Sequence, residues 1–441
     1  MSENHWDALV VGAGAGGLCA AARLSHHGYR TLVVERLDRV GGRASTEVID
    51  GFKINTGAIV VELGGSTEQT FTDVGAKFEV RPANPSILYR IGGRTVDVTS
   101  GGWGLLLSQL IRQGAPLLNG IMEREDGGPY GMPDRELSTA DWVRRHTKNV
   151  AVQGVFRAMC GAGFAVSSDE LPARVFLTHF AELTFGNFGF CPDGTIGLWR
   201  ALADVVERNG GEVRLDTEVS RLHVENGRIT GARLLRGGET VDLTCDFAVS
   251  DIGPSATLDL VGPEHFSPGY IGTVLQGDLP SAMISVNFAS RERLIDAPGL
   301  LSFVNTRRLC YVADFTATCP EMAPDGWHLY VGTGVPKPSV GDFDTDSETA
   351  LVLQDLGREI DGFDRARILS IAVTRDDWPP QRTVSGYDLP HDTPIPNLWN
   401  VGDAVKEYAH GGTTACAETA KIVVDKILSA TSRLSPAADP P

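Results

Sequence analysis

Residues 8–43 alternate between short apolar runs and glycine-rich turns. Residues 8–11, Ala-Leu-Val-Val, form an apolar run with β-branched residues, which is typical of a buried parallel strand. Residues 18–27 are rich in alanine and predict a helix, and residues 31–34, Thr-Leu-Val-Val, predict a second buried strand. This order of strand, helix and strand predicts a βαβ unit within an α/β fold.

Glycines join the first strand to the helix in a spacing with chemical meaning. Gly12, Gly14 and Gly17 stand in G-x-G-x-x-G order, and Gly16 lies beside the third glycine of that set. The first glycine permits a tight turn, the second lets the backbone approach a pyrophosphate, and the third lets helix and strand pack closely. The helix N-terminus then offers N–H groups and a positive dipole end to phosphates. The spacing predicts a dinucleotide-binding site.

The end of the second strand carries the next candidate residues. Glu35 follows it directly, and a carboxylate there can accept both ribose hydroxyls of an adenosine. Arg36 is its neighbour and is included in the predicted binding set. Gly42 and Arg43 follow closely, and an arginine at this position can add a phosphate contact.

The run from residue 10 to residue 43, which ends in Gly-Gly-Arg, resembles the dinucleotide motif of the FAD-dependent amine oxidase and phytoene desaturase superfamily. The resemblance implies FAD rather than NAD as the cofactor. It also implies that Gly57 and Ala58 lie beside the isoalloxazine, although Asn55 stands where the superfamily often has an acid. The backbone at Val219 is expected to face the adenine.

The C-terminal part of the chain contains a second strand–turn–helix pattern of the kind that binds a dinucleotide. Residues 396–404 predict a strand that ends in Gly402 and Asp403, and Gly412 and Thr413 open a predicted helix that continues to residue 428. In the superfamily that the chain resembles, such an acid binds the ribityl chain of FAD. The N-terminus of the following helix would direct its dipole at the flavin edge where negative charge develops on reduction.

The predicted fold class is α/β, with a discontinuous Rossmann-like FAD-binding domain and a second, α+β substrate domain that contains an antiparallel sheet. We expect residues 1–85, 191–253 and 381–441 to form the FAD-binding domain. Residues 86–190 are expected to form the helical part of the substrate domain, and residues 254–380 its sheet.

Individual elements follow from the same patterns. Ser138, with Asp141 three residues later, predicts a helix start, and helices are expected to continue to about residue 183. A helix is predicted over residues 347–359, and strands are predicted over residues 87–90, 94–98, 220–224, 229–235, 240–243, 247–250, 282–289, 301–304, 309–315 and 327–333.

The most apolar helical candidate spans residues 104–122. We favour an internal helix of the substrate domain, because the segment carries few cations. The alternative is a lip that touches lipid and admits an apolar substrate, which would make peripheral membrane contact part of the function.

Composition excludes several classes of protein. The net charge of −17 argues against a nucleic-acid partner and against docking on an anionic membrane through basic residues. We see no signal peptide and no apolar stretch of transmembrane length, so we expect a cytoplasmic protein. The seven cysteines include no Cys-x-x-Cys pair and are expected to be reduced thiols, and no metal site is predicted. The sequence predicts no particular oligomeric state.

Three functions are compatible with these features. The leading one is an FAD-dependent dehydrogenase or desaturase that removes two hydrogens from a mainly apolar small molecule, such as a carotenoid-like isoprenoid or an alicyclic ketone. The alternatives are an amine oxidase that produces hydrogen peroxide and a flavin-binding subunit without turnover. The Gly-Asp and Gly-Gly-Thr sequences resemble the phytoene-desaturase branch more closely.

Residues absent from expected positions favour the same branch. Amine oxidases of the superfamily often carry a lysine near the flavin and an aromatic pair, and residues 240–327 contain no lysine. An aromatic pair could be drawn from Trp378 and Tyr408, or from Tyr387. Residues 383–389 lack the cysteine that attaches the flavin in some relatives, so FAD is expected to be bound without a covalent bond.

Acid–base chemistry is assigned to the segment before the last helix. His410 and Tyr408 are the candidate catalytic residues, because a histidine there can take a proton near neutral pH. An alternative role for His410 is a hydrogen bond to the backbone or to the flavin. Lys406 and Glu407 are expected to face solvent.

Overall fold

The computed structural model describes residues 4–98, 102, 137–182 and 187–432. The helices of the described residues are α1 (Ala15–His26), α2 (Ser66–Val74), α3 (Thr139–His146), α4 (Val150–Phe164), α5 (Ala173–Glu182), α6 (Ile196–Arg208), α7 (Pro254–Val261), α8 (Pro268–Gly277), α9 (Thr345–Glu359) and α10 (Gly412–Ser432). None of these helices is both long enough and apolar enough to cross a bilayer.

The strands of the described residues are β1 (His5–Val11), β2 (Thr31–Val34), β3 (Thr46–Ile49), β4 (Phe52–Asn55), β5 (Val61–Glu62), β6 (Arg81–Pro82), β7 (Ile87–Ile91), β8 (Arg94–Val96), β9 (Phe188–Phe190), β10 (Glu212–Arg214), β11 (Glu218–Glu225), β12 (Arg228–Arg236), β13 (Glu239–Ser250), β14 (Met283–Ser290), β15 (Leu300–Phe303), β16 (Leu309–Asp314), β17 (His328–Gly334), β18 (Arg367–Thr374) and β19 (Leu398–Asn400).

A seven-stranded sheet carries the glycine motif. Its strand order is β10-β2-β1-β13-β12-β11, and β19 pairs with β13. The strands β10, β2, β1, β13 and β19 run parallel, whereas β11 and β12 are antiparallel additions. Because the parallel strands end at the same edge, the turns after β1, β2, β13 and β19 meet there. This arrangement confirms the predicted Rossmann-like fold.

Helices cover this sheet on both faces, which explains the continuous apolar run of β1. Ala8 and Val10 pack in one buried cluster with α1, α6 and α10. Leu9 and Val11 point the other way and pack in a second cluster with α7 and α8. A strand that is buried on both faces needs apolar residues at every position, not alternate ones.

The segment that holds α7 and α8 was expected to begin the substrate domain. Its residues Leu258, Val261 and Val274 instead lie in the same buried cluster as β1 and β2. This part of residues 254–380 therefore packs with the nucleotide-binding sheet. The other domain boundaries stay predictions.

A second seven-stranded sheet has the order β18-β14-β17-β16-β15-β7-β8. Its pairs are antiparallel except for β7 and β15, which run parallel. β18 was not predicted from the sequence, because its residues are only half-buried or exposed and their apolar alternation is weak. Helix α9 covers one face of the sheet, and α4 and α5 pack against the other.

One predicted pair of strands is a single strand. Residues 240–243 and 247–250 both belong to β13, which spans 12 residues. The first half of β13 pairs with β12 and the second half with β1, and Thr244 pairs with both. The change of partner explains why the apolar pattern changes at that point.

The helical region around Ser138 agrees with the prediction. The Ser138 Oγ accepts a hydrogen bond from the backbone N–H of Asp141 at 3.1 Å and caps α3. The helices α3 to α5 then continue to Glu182, close to the predicted end. The apolar segment 104–122 lies outside the described residues.

Candidate FAD site

A cavity of about 570 Å³ runs from the parallel edge of the first sheet to the face of the second. Of the predicted cofactor-binding residues, those that line it are Gly12, Gly14, Glu35, Arg36, Gly42, Arg43, Gly57, Ala58, Val219, Asp403, Gly412 and Thr413. Thus residues from both ends and the middle of the chain meet around one space. Gly16, Gly17 and Gly402 lie behind this lining.

The glycine turn has the geometry that its spacing predicts. Gly12 has a φ of +96°, which L side chains rarely adopt. A Cβ at Gly17 would lie 2.1 Å from the carbonyl oxygen of Gly12, so any side chain there would separate α1 from β1. The turn therefore places the N-terminus of α1 directly against the cavity.

Asp251 explains three further glycines and is not among the predicted site residues. A Cβ at Gly14 would lie 2.4 Å from the Asp251 Oδ2, and a Cβ at Gly16 would lie 2.6 Å from its Oδ1. A Cβ at Gly402 would also lie 2.6 Å from the Asp251 Oδ1. The carboxyl group thus fills the space that three glycines leave open.

Glu35 lines the cavity at the end of β2 and is 6% exposed. Its Oε2 accepts the backbone N–H of Ala13 at 2.8 Å, and its Oε1 accepts that of Leu37 at 2.9 Å. Each carboxylate oxygen has a second lone pair, so both keep the capacity to accept a ribose hydroxyl. Exposed Arg36 and buried Val219 line the same end.

A charged pair joins the two ends of the chain at the centre of the cavity. Arg43 donates to both carboxylate oxygens of Asp403, at 2.5 Å and 3.0 Å. Burial by itself raises the pKa of Asp403, but the Arg43 guanidinium outweighs it and holds that pKa well below its usual range. The Asp403 Oδ2 also accepts the backbone N–H of Arg382 at 2.8 Å. Asp403 is therefore an ionised and firmly oriented acceptor.

The backbone around this pair explains why glycine stands at two of the predicted positions. A Cβ at Gly57 would lie 2.2 Å from the Arg43 carbonyl oxygen, so the chain can pass Arg43 only with glycine there. Gly402 has a φ of +102°, and its N–H donates to the Thr419 Oγ1 at 2.9 Å. This bond ties the turn before Asp403 to α10.

These residues fit a dinucleotide. The cavity offers a helix N-terminus for a diphosphate, a carboxylate for a ribose, and the start of α10 at its far side.

The sequence profile of the family described as flavin containing amine oxidoreductase matches residues 15–428. The chain belongs to this family. It is an FAD-dependent oxidoreductase, and the interpretation as a flavin-binding subunit without turnover was wrong.

Individual relatives of this flavin oxidoreductase support the same assignment. It is 26% identical to a phytoene dehydrogenase of Streptomyces griseus over 95% of this chain and 92% of the relative. It is 27% identical to a phytoene desaturase of Rhodobacter capsulatus, but over only 54% of this chain and 51% of the relative. A solved oxidoreductase from Methanosarcina mazei superposes with a TM-score of 0.81, at 29% identity, and covers 95% of this chain and 100% of its own.

The far end of the cavity was not predicted from the sequence. The residues that line it include Ala162 and Gly163 of α4, Ala165, Met283 of β14, Tyr311 of β16, Thr374 of β18, Asp377 and Trp378. They come from α4, from the second sheet and from the segment after it. A small or aromatic residue in such elements is common, so its presence in the sequence does not indicate a binding site. Of the predicted aromatic residues only Trp378 lines the cavity, whereas Tyr387 and Tyr408 pack against a buried cluster.

The predicted acid–base residues lie in the segment before α10, outside the described cavity lining. The His410 Nδ1 lies 2.5 Å from the Glu418 Oε2. The Tyr408 Oη is buried and has no hydrogen-bond partner among the described residues. Burial also raises the pKa of Tyr408, so its hydroxyl keeps its proton at neutral pH.

The expectation that Lys406 faces solvent was wrong. Its side chain is fully buried, and its Nζ lies 2.6 Å from the Asp388 Oδ1. The same ammonium donates to the carbonyl oxygens of Thr383 and Asp403, each at 2.7 Å. Three acceptors satisfy its three donors, which explains how a lysine can be buried here. Glu407 is half-buried.

His179 of α5 also supports this segment and was missed in the sequence. Its Nδ1 lies 2.9 Å from the carbonyl oxygen of Ala409, a residue with a φ of +65°. Burial lowers the pKa of His179 to about 4, so the imidazole is neutral and its Nδ1–H donates to that carbonyl. A lone histidine in an apolar helix carries no sign of such a role.

Proposed function

We propose that this flavin oxidoreductase is a dehydrogenase or desaturase that removes two hydrogens from a mainly apolar small molecule. The observation that carries the proposal is the character of the far end of the cavity. Met283, Tyr311 and Ala165 are buried there, and Trp378 is half-buried. No lysine or histidine is among the described residues that line the cavity. A hydrocarbon or an alicyclic ketone fits such walls, since neither requires a charged partner.

When bound, FAD supplies a two-electron acceptor, so the protein must bind and orient the substrate. The substrate loses one hydrogen with its electron pair and one as a proton, and a single bond becomes a double bond. The apolar walls contributed by α4, β14 and β16 would hold the reacting C–H and exclude water. The Arg43–Asp403 pair and the N-terminus of α10 would fix the cofactor against that wall.

His410 is our candidate for the group that receives the proton, through an intervening water because the residue does not line the cavity. If its Nδ1–H donates to Glu418, the other ring nitrogen is the basic one. His410→Ala is expected to slow flavin reduction by about a hundredfold, as is usual when a general base is removed. FAD content should not change, because the Arg43–Asp403 pair and Glu35 lie elsewhere. A wild-type rate with an unchanged pH profile would instead assign His410 to holding the segment before α10.

The second candidate function is oxidation of an amine with production of hydrogen peroxide. Asp377 lines the same end of the cavity, is exposed, and offers a carboxylate to an ammonium group. The presence of this carboxylate favours an amine substrate. Its replacement by an amide distinguishes the two functions.

Anaerobic reduction of the flavin tests both functions. The holoenzyme is mixed with phytoene in detergent micelles, with cyclohexanone, or with cyclohexylamine, and the loss of flavin absorbance is recorded. The proposal expects bleaching by phytoene or cyclohexanone, with rates unchanged in Asp377→Asn. Bleaching by the amine alone, abolished in Asp377→Asn and followed by one peroxide per turnover in air, would overturn it. The ring shared by the ketone and the amine makes them a matched pair of probes.

A further inference from the structure

Asp251 lies where the diphosphate of the cofactor must bind. It follows β13, and its backbone N–H donates to the carbonyl oxygen of Val11 at 2.8 Å, so it sits at the parallel edge beside the glycine turn. Its carboxyl group lines the cavity and is half-buried in the wall. It accepts a hydrogen bond from the backbone N–H of Gly17, at the start of α1. The N-terminus of that helix is the site at which dinucleotide-binding folds hold the diphosphate.

An ionised carboxylate at this place opposes the cofactor. The diphosphate of FAD carries two negative charges, and bound FAD would cover the side of Asp251 that faces the cavity. Two like charges in one water-excluded site repel strongly. The glycines hold the carboxyl group in place, because Gly14 and Gly16 leave it a space that only their lack of a Cβ provides.

The surrounding charges do not neutralise both anions. Arg43 is already engaged by Asp403, which leaves Arg382 as the second cation that faces the carboxyl group. Two arginines against two ionised aspartates give no net charge, so the diphosphate would add its full negative charge. A protonated Asp251 leaves one net positive charge for the diphosphate. The titratable and charged groups that face Asp251 are Cys19 of α1, Arg43, Arg382, Asp403 and Cys416 of α10.

We propose that FAD binds to this protein together with one proton, which is held on the carboxyl group of Asp251. A neutral carboxyl group removes the repulsion and still accepts the N–H of Gly17 through one oxygen. Its hydroxyl adds a donor, and a diphosphate is an acceptor. Binding of FAD together with a proton does not depend on which substrate the enzyme oxidises.

Both protonation states are accessible to the cofactor-free protein near neutral pH. Desolvation raises the pKa of Asp251 to about 7, against the opposing effects of the Gly17 N–H and the Arg43 guanidinium. The other facing groups do not titrate there. Burial raises the pKa of Cys19 to about 12 and that of Cys416 well above its usual value, and Arg43 holds Asp403 ionised. A proton taken up with FAD is therefore assignable to one residue.

The sign of the effect follows from linkage. Below a pH of about 7 the carboxyl group is already protonated, and the Kd for FAD does not depend on pH. Above that pH the protein must take up one proton from the solvent for each molecule of FAD that binds, so the Kd rises by about tenfold per pH unit. The rise ends at the higher pKa that Asp251 has in the holoenzyme.

Calorimetric titration of the FAD-free protein with FAD measures this proton directly. Titrations at about pH 8 in phosphate and in Tris, whose ionisation enthalpies differ, are expected to give about one proton bound per FAD. At about pH 6 the two buffers should give the same enthalpy. Uptake of less than about 0.2 proton by the wild-type protein at pH 8 would overturn the proposal.

Variants assign the proton. Asp251→Asn keeps an oxygen for the Gly17 N–H and is expected to show no uptake and a Kd that does not depend on pH. Asp251→Ser serves the same purpose if the asparagine variant does not fold. Asp278→Asn is the matched control, because Asp278 is exposed, faces the same Arg382 and does not line the FAD cavity. The control should keep the full uptake, and uptake that persists without the Asp251 carboxyl group would refute the assignment.

Discussion

The buried ammonium of Lys406 gives the sharpest test of how the site is held together. We consider Lys406→Met, which keeps the length of the side chain and removes its charge. The wild-type Nζ bonds Asp388, whose side chain is 1% exposed, and two backbone carbonyl groups. The variant leaves a buried carboxylate without its cation. Loss of one partner from a buried ion pair costs about 3–5 kcal/mol, and we expect a decrease in unfolding free energy of that size.

The loss should depend on pH. Burial raises the pKa of Asp388, and in the variant no cation opposes that effect. Asp388 of the folded variant then binds a proton that the unfolded chain releases, so the stability of the variant falls as pH rises. Urea unfolding of the FAD-free protein at about pH 5 and pH 8 should therefore show the larger loss at pH 8.

Two further variants complete the experiment. Lys421→Met is the matched control, because Lys421 bonds Asp425 over the same 2.6 Å on the exposed face of α10. It should cost less than about 1 kcal/mol. Lys406→Met combined with Asp388→Leu removes both charges and should recover most of the stability. A loss below about 1 kcal/mol in Lys406→Met, or the same loss at both pH values, would refute the reasoning.

Three further outcomes are expected. Gly17→Ala would place a Cβ 2.1 Å from the Gly12 carbonyl oxygen and should purify without FAD. The control is Gly357→Ala, whose added Cβ would meet no atom within 4 Å, and it should keep FAD and gain up to about 1 kcal/mol in stability. Gly17→Ala protein that is yellow would contradict this expectation. His179 has a folded pKa of about 4 and an unfolded value of about 6.5, so stability present above pH 6.5 is lost as pH falls towards 4, by about 2–3 kcal/mol. His179→Gln should lower the melting temperature at neutral pH and flatten the pH dependence of the melting temperature between these values. A melting temperature that falls as steeply with pH in the variant as in the wild type would exclude the assignment. Acid precipitation should release FAD and leave a colourless pellet, and a yellow pellet would show a covalent bond.

The sequence by itself determined the cofactor-binding half of the fold. Buried parallel strands are apolar along their whole length, and a tight turn between strand and helix demands glycine, so both features are written in consecutive residues. Gly12, Gly17 and Glu35 were found in this way. Gly402 and Asp403 were found likewise, because a strand that ends in Gly-Asp before a helix is also a local pattern.

Only the tertiary structure decided which residues meet. Arg43 and Asp403 are 360 positions apart, and no local pattern indicates that they form a pair. Asp251 and Lys406 look like ordinary charged residues of a turn, yet one fills the space beside three glycines and the other is fully buried. The far wall of the cavity is assembled from α4, β14, β16 and β18. Such contacts depend on how separate elements pack, and a side chain's spacing along its own element carries no information about its partner on another.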